Sequence, residues 1–367
     1  MRSEFYLRIP RPLALAVLLL AASGCAGPGY YWQAASGHLE LMRAREQVAD
    51  LLADPSTDPA LAGRLRAARD MLAFAEDSLG LHANDSYSSY IETGRRAVVW
   101  NVIATPEFSL EARRWCFPVA GCVPYRGYFD HAKAQAFADR MARKDHDVAV
   151  RGATAYSTLG WFNDPLLDTM LNADDRGLAA TLFHELAHQR VYVKGDTAFN
   201  EAYASFVGQQ GVRAWLLANG RADLLEGWRR QLDAREDFNR LQAWTRARLA
   251  RLYRSGADAS EMRPGKAAVF AELRARYERL VADRWRGTDW FGGWFESGIN
   301  NADLALFKDY NAGICAFERL FATVDGDFRA FHAAVAQRAD LPGEQRSAWL
   351  HAPCDNSGPD IASRMDM

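Results

Sequence analysis

Residues 184–188 read His-Glu-Leu-Ala-His, and this pentapeptide constrains the fold more than any other part of the chain. Two histidines four residues apart lie one turn apart on one helix face, so both imidazoles reach a single cation only if the segment, expected over 179–191, is helical. Twelve residues, 189 to 200, then separate His188 from Glu201, which sits in Phe199-Asn-Glu-Ala-Tyr-Ala at the start of a second helical pattern. The chain must therefore turn back. The first helix is expected to end near Lys194-Gly195 with Gly195 as its C-cap, and Asp196 or Thr197 is the expected N-cap of the second. Glu201, in the opening turn of the returning helix, then meets the histidines.

Two imidazoles and one carboxylate with a fourth position open form a catalytic Zn2+ set, so His184, His188 and Glu201 are the candidate ligands. Glu185, next to the first histidine, is placed to take a proton from water and pass it to a leaving amine. The extended metzincin motif needs a glycine and a third histidine where this chain has Val191 and Lys194, which excludes that class. Asn200-Glu201 resembles the gluzincin peptidases, whose third ligand is a Glu on a following helix. The spacer here is shorter than theirs, and Ser205 stands where some members carry an acid behind a zinc histidine. Asp196, eight positions after His188, is the rival ligand in the manner of His, His, Asp sites.

The N-terminus carries Arg2, Arg8 and Arg11, then the apolar run Leu13–Leu20, then Ala21-Ala-Ser-Gly24 and Cys25. A basic flank, a short apolar core and small residues describe a secretory signal peptide over 1–24, too short to span a bilayer. Gly24-Cys25 resembles a bacterial lipobox, with Ala22 in place of the usual Leu, so Cys25 is the candidate lipidation site. Ala26 after the Cys points, by resemblance to Gram-negative lipoproteins, to an outer-membrane anchor facing the periplasm. The remaining cysteines, Cys116, Cys122, Cys315 and Cys354, are an even set suited to an oxidising compartment. Phe-Pro-Val-Ala-Gly between the first two can turn the chain so that they meet, and a Cys315–Cys354 bridge would tie the tail to a helix. Other pairings stay open.

Forty-four Lys plus Arg against 46 Asp plus Glu, a net charge of -2, give no basic excess of the kind nucleic-acid binders show. Helical periodicity runs from Tyr30 to about Leu81 with breaks at Pro55 and Asp58-Pro59. Residues 97–103 and 155–162 read as strands, and Lys133–Arg143 as a short helix. Between 222 and 285 the sequence is long, charged and amphipathic, with breaks at Ser255-Gly256 and Pro264-Gly265, a helical hairpin whose protein partner, if it has one, the sequence does not name.

Several blocks resemble a family of bacterial predicted aminopeptidases, many of them lipoproteins: Val98-Val-Trp-Asn101, Trp115-Cys-Phe-Pro118, Gly121-Cys-Val-Pro-Tyr-Arg-Gly-Tyr-Phe129, Ala155-Tyr-Ser-Thr-Leu-Gly-Trp-Phe162, Asp164-Pro-Leu-Leu167, the metal motif, Phe199-Asn-Glu201 and Asn300-Asn-Ala302. The resemblance implies a zinc peptidase acting on peptide substrates. The expected fold is mainly α with a small β-sheet (α+β), a zincin-like core with a helical hairpin insertion. In that reading 25–95 is an N-terminal helical region, 96–221 the catalytic core, 222–290 the hairpin, and 291–367 a helical region completing the catalytic domain. Zincins place a sheet edge above the metal, which is a role for 155–162.

An aminopeptidase needs an acid for the substrate α-ammonium, and Glu107, Asp164 and Glu296 are candidates that nothing separates. Tyr310 is the first candidate donor to the tetrahedral oxyanion, with Tyr156 and Arg126 behind it as substrate-binding residues. Asn300-Asn301 lines a cleft or caps a helix. Two other functions compete, a non-catalytic envelope scaffold and a zinc hydrolase of cell-wall peptides. A structural zinc is closed by four protein ligands, and only three suggest themselves, which favours the enzyme over the scaffold.

Overall fold

The computed structural model describes residues 27–82, 84–117, 121–154, 163–296, 298–305 and 313–353. The leader 1–24, Cys25, the strand expected over 155–162 with Tyr156, the candidate donor Tyr310, and Cys354 lie outside the described residues. Helices dominate and the sheets are small, so the fold is mainly helical α+β. No helix among the described residues is long and apolar enough to cross a membrane.

Two compact units make up the chain. The first comprises Met1–Arg43, Val99–Ala153 and Asn300–Leu306. Its three-stranded antiparallel sheet has Val99–Pro106 in the centre, between Arg126–Tyr128 and His146–Ala153. Side chains alternate along the central strand. Val102 and Ala104 face the helix His131–Ala142 and pack with its Ala134, Phe137, Ala138 and Met141. Ile103 points the other way, to Ala149 and Ala302. Asp130 starts that helix by accepting a hydrogen bond from the Lys133 N–H. Asn300 takes the capping role, its Oδ1 accepting from the Ala302 N–H, while its amide donates to the Val148 carbonyl. A short hairpin, Trp115–Phe117 with Gly121–Val123, places Cys116 opposite Cys122, and the two form a disulfide.

The second unit comprises Ala44–Val98, Thr154–Ile299 and Phe307–Met367. Asp58 caps the helix Pro59–Asp77, with Pro59 at its first position, where its missing N–H has no partner to lose. A second small sheet sets Ser89–Ile91 between Glu46–Gln47 (antiparallel) and Leu166–Leu167 (parallel). The core is aromatic: Phe199, Tyr203 and Phe206 of the helix Thr197–Ala218 pack in edge-on and tilted contacts against Phe317, Phe321 and Phe331 of the C-terminal helices. Cys315, on the first of these, is disulfide-bonded.

The amphipathic stretch forms two helices, Leu225–Tyr253 and Ala259–Arg279, whose Phe238, Leu241, Leu273 and Tyr277 share a cluster with Trp285 and Phe295. The break expected at Ser255-Gly256 is present, with Gly256 at φ 79° and Asp258 capping the next helix. The break expected at Pro264-Gly265 is not: Pro264 lies inside the helix. Pro264 stands close to the helix start, and Gly265 presses against Leu252 of the facing helix, where a Cβ would sit 3.1 Å from its methyl carbons. Interhelix packing outweighs the hydrogen bond that the proline removes.

Candidate metal centre

The site belongs to the second unit. Asp174 opens the helix Asp175–Arg190 by accepting from the Gly177 N–H at 2.8 Å. Leu178, Ala179, Leu182, Phe183, Leu186 and Ala187 bury its apolar face. The helix stops at Arg190, with Val191 extended, one residue short of the expected 179–191 and well before the C-cap expected at Lys194-Gly195. Gly195 is not the C-cap. It occupies a turn closed by the Asp196 N–H to the Val193 carbonyl, at φ 83°, where a side chain would be strained. Asn200 decides this geometry: its Oδ1 accepts from the Val193 N–H and its Nδ2 donates to the Val193 carbonyl, both at 2.8 Å. Asp196 caps the returning helix Thr197–Ala218 through the Phe199 N–H.

That turn puts Glu201 against the two histidines. The Nε2 atoms of His184 and His188 are 3.1 Å apart. Glu201 carboxylate oxygens lie 3.5 Å from His184 Nε2 and 3.8 Å from His188 Nε2. One ligand atom from each of these residues falls within 4.8 Å of the others, a group able to hold a metal ion. Two nitrogens each about 2.0–2.1 Å from a tetrahedral zinc stand about 3.3 Å apart, close to the separation found. Burial, then the neighbouring His184, push the His188 pKa down to about 4 against the pull of Glu201, so the imidazole is neutral at pH 7, the form that binds a metal. The donor set and its spacing therefore fit zinc.

Asp196, the rival ligand, is committed elsewhere. Its Oδ1 caps the helix and its Oδ2 accepts from Arg346 Nε at 2.7 Å. Nδ1 of His188 is buried without a hydrogen-bond partner among the described residues, where metal-bound histidines usually donate to a carboxylate or carbonyl.

Glu185 is half-buried beside the histidines. Close by is Tyr87, a residue to which nothing in the sequence drew attention. Burial, then the charges of Glu185 and Asp164, push its hydroxyl far above the usual tyrosine range. Tyr87 is buried with φ at 65°, and its N–H donates to the Asp164 carbonyl. Ser86 Oγ accepts from Gln189 Nε2, on the helix that carries Glu185. A left-handed tyrosine locked by such contacts is backbone strain of the kind found at working sites. The polar turn Asn84-Asp85-Ser86 just before it is the one local signal that could have marked it.

Among the three acids considered for an α-ammonium, Asp164 is the one that shares the surroundings of Tyr87 with Glu185. Glu296 is exposed, and Glu107 belongs to the first unit, where its carbonyl accepts from Asn301 Nδ2. Arg126 also belongs to the first unit, among the rings of Tyr30, Tyr128 and Phe137.

Residues 29–350 match the family model described as "Putative aminopeptidase". The chain belongs to that family. No curated protein and no solved structure matches it. Membership in this aminopeptidase family supplies a coarse reaction class, peptide hydrolysis. A carboxylate beside a cluster able to hold a cation is suited to that class, because such a pair can activate water.

Proposed function

We propose that this protein is a zinc-dependent aminopeptidase of the cell envelope, with the ion held by His184, His188 and Glu201. The observation that carries the reading is the convergence of these ligand atoms within 4.8 Å, one residue from Glu185, in a chain of an aminopeptidase family. When bound, zinc supplies a Lewis acid that polarises the scissile carbonyl and acidifies water. Glu185 takes the proton of the attacking water and returns it to the departing nitrogen. His188 stays neutral, and Glu201 balances part of the cation's charge. Tyr310 donates to the oxyanion, with Tyr156 as the second candidate. A gluzincin-like arrangement is supported by Asn200 and Glu201 opening the returning helix.

The envelope address rests on Cys25 as lipid anchor after the leader 1–24, and is supported by the Cys116–Cys122 disulfide, a bond that persists in oxidising compartments.

Metal content and cleavage of a peptide library, in which each sequence is supplied with a free and an acetylated N-terminus, test the proposal. About one zinc per chain is expected, with cleavage of the free amines only. Glu185→Gln should keep zinc and lose roughly 10²–10⁴-fold in rate, and Glu201→Ala should lose zinc. Zinc retained in Glu201→Ala would remove Glu201 from the ligand set. Equal cleavage of acetylated peptides would make the enzyme an endopeptidase, and no cleavage of either set would sink the peptidase reading.

A further inference from the structure

The first unit contains a cavity of about 460 Å³ that the proposed hydrolysis leaves without a role. Arg126, Lys133 and Arg140 line it, together with the rings of Tyr30, Tyr128 and Phe137, and no carboxylate among the described residues does so. Arg126 extends from the edge strand Arg126–Tyr128 and is only 9% exposed. Its guanidinium carbon lies 4.0 Å from the ring centre of Tyr30, 4.6 Å from that of Phe137 and 5.6 Å from that of Tyr128. Ring contacts of this kind engage the π faces of the planar cation and leave its in-plane N–H donors unanswered. Nε is buried with no hydrogen-bond partner, and no carboxylate among the described residues pairs with the group.

Such an arrangement is costly without a ligand. Taking a cation out of water is unfavourable, and ring contacts offset only part of that cost, so buried charges are ordinarily paired. The neighbouring cations do not lessen the cost. Lys133 reaches one acid, Asp130, at 3.9 Å with both side chains well exposed, and Arg140 lies over Phe137 at 5.4 Å. Gly27 and Gly29, at the start of the helix Pro28–Arg43, complete the wall and add the positive end of a helix dipole.

We infer that this cavity binds a phosphate-bearing ligand, with Arg126 as the forked donor to its oxygens and Lys133 and Arg140 as flanking cations. A phosphate offers more acceptor oxygens than a carboxylate, at one negative charge in a diester and close to two in a monoester, and so suits a forked donor flanked by two further cations. The volume exceeds what a bare phosphate fills, and the aromatic wall suits an apolar or glycerol-like body attached to it. Two sources share this chemistry, a phospholipid headgroup and a soluble phosphate ester. Gly27 is two residues from Cys25, so the proposed lipid anchor would keep a headgroup within reach.

Thermal unfolding in sodium phosphate against sodium chloride of equal ionic strength, and co-sedimentation with vesicles of phosphatidylglycerol or phosphatidylcholine, test the inference. All proteins carry Cys25→Ser, so that binding does not report the anchor. Arg126→Met keeps an apolar stem between the rings and removes the charge. Without phosphate it should unfold at or above the temperature of the unsubstituted protein. A phosphate-dependent rise in unfolding temperature that is lost in Arg126→Met, and weakened about tenfold in Arg140→Gln, identifies a soluble phosphate ligand. No such rise, with binding to phosphatidylglycerol alone that is lost in the same variants, identifies a headgroup. Should Arg126→Met fail to fold, Arg140→Gln decides by the same readouts. Phosphate shifts and vesicle binding equal in all proteins, or neither effect in the unsubstituted protein, would overturn the inference.

Discussion

Gly208 lies so close to Ala180 that a Cβ there would sit 2.9 Å from the Ala180 carbonyl oxygen, and 3.5 Å from the Cβ of His184. Gly208 is two turns beyond Glu201 on the same helix face, so the contact sets how near Glu201 comes to the histidines. Gly208→Ala should therefore cost about 1–3 kcal/mol through overpacking and weaken zinc binding as well. Gly211→Ala is the comparison: its Cβ would sit 2.7 Å from the Phe183 ring and 3.0 Å from Leu79, both fully buried, so it overpacks too, but against side chains rather than the backbone of the histidine helix. Unfolding temperature and zinc affinity of both variants check this. Equal zinc affinity in the two would mean that the helix crossing at Gly208 does not position Glu201.

Asp196 is expected to act through stability alone. Asp196→Ala removes a helix cap and leaves Arg346, which is nearly buried, without its carboxylate. The loss should be about 3 kcal/mol, with zinc still bound at one per chain. Loss of zinc from a variant that remains folded would return Asp196 to the ligand set.

The metal-free protein should lose stability on mild acidification. His332 is buried, with its Nε2–H donating to the Leu79 carbonyl and its Nδ1 facing the Tyr203 hydroxyl. Burial is the main cause that lowers its pKa to about 4 from the ordinary 6.5. The folded state thus resists protonation that the unfolded chain accepts. The corresponding stability is complete above pH 6.5 and falls away towards pH 4, a total of roughly 3 kcal/mol from this one group. Denaturant unfolding at pH 7 and pH 4.5 measures it, and a slope unchanged in His332→Gln would assign the effect to other groups.

Reducing the Cys116–Cys122 bond should destabilise the first unit only modestly. The bridge closes a loop of sequence separation 6, and chain entropy gives so short a loop about 2 kcal/mol. Unfolding with and without reductant checks this, using Cys315→Ser in both arms so that a single bond is read. A loss well above that figure would mean that the hairpin depends on the bridge to form.

Much of the local structure was legible because short-range rules govern it. Asp196, expected as an N-cap, accepts from the Phe199 N–H, and the break expected at Asp58-Pro59 is a helix start capped by Asp58. Stops were less legible. Nothing local tells Arg190 to end its helix, because the end is set by the Asn200 amide holding Val193 from the following helix. Pro264 continues a helix for a similar reason, the close packing of Gly265 on Leu252.

The sequence by itself determined the ligand types and the helical spacing that puts His184 and His188 on one face, since both follow from side-chain chemistry and the 3.6-residue turn. The sequence put Glu201 ahead of Asp196 as the third ligand, and tertiary structure shows how the two acids divide. Asp196 and Glu201 are five residues apart, and only the turn geometry and Arg346 divide them into cap and candidate ligand. It also decided the surroundings of Tyr87 and Arg126, one held in a left-handed backbone beside Glu185 and the other among three rings. Burial and partnership arise from segments distant in sequence, which periodicity and spacing do not encode.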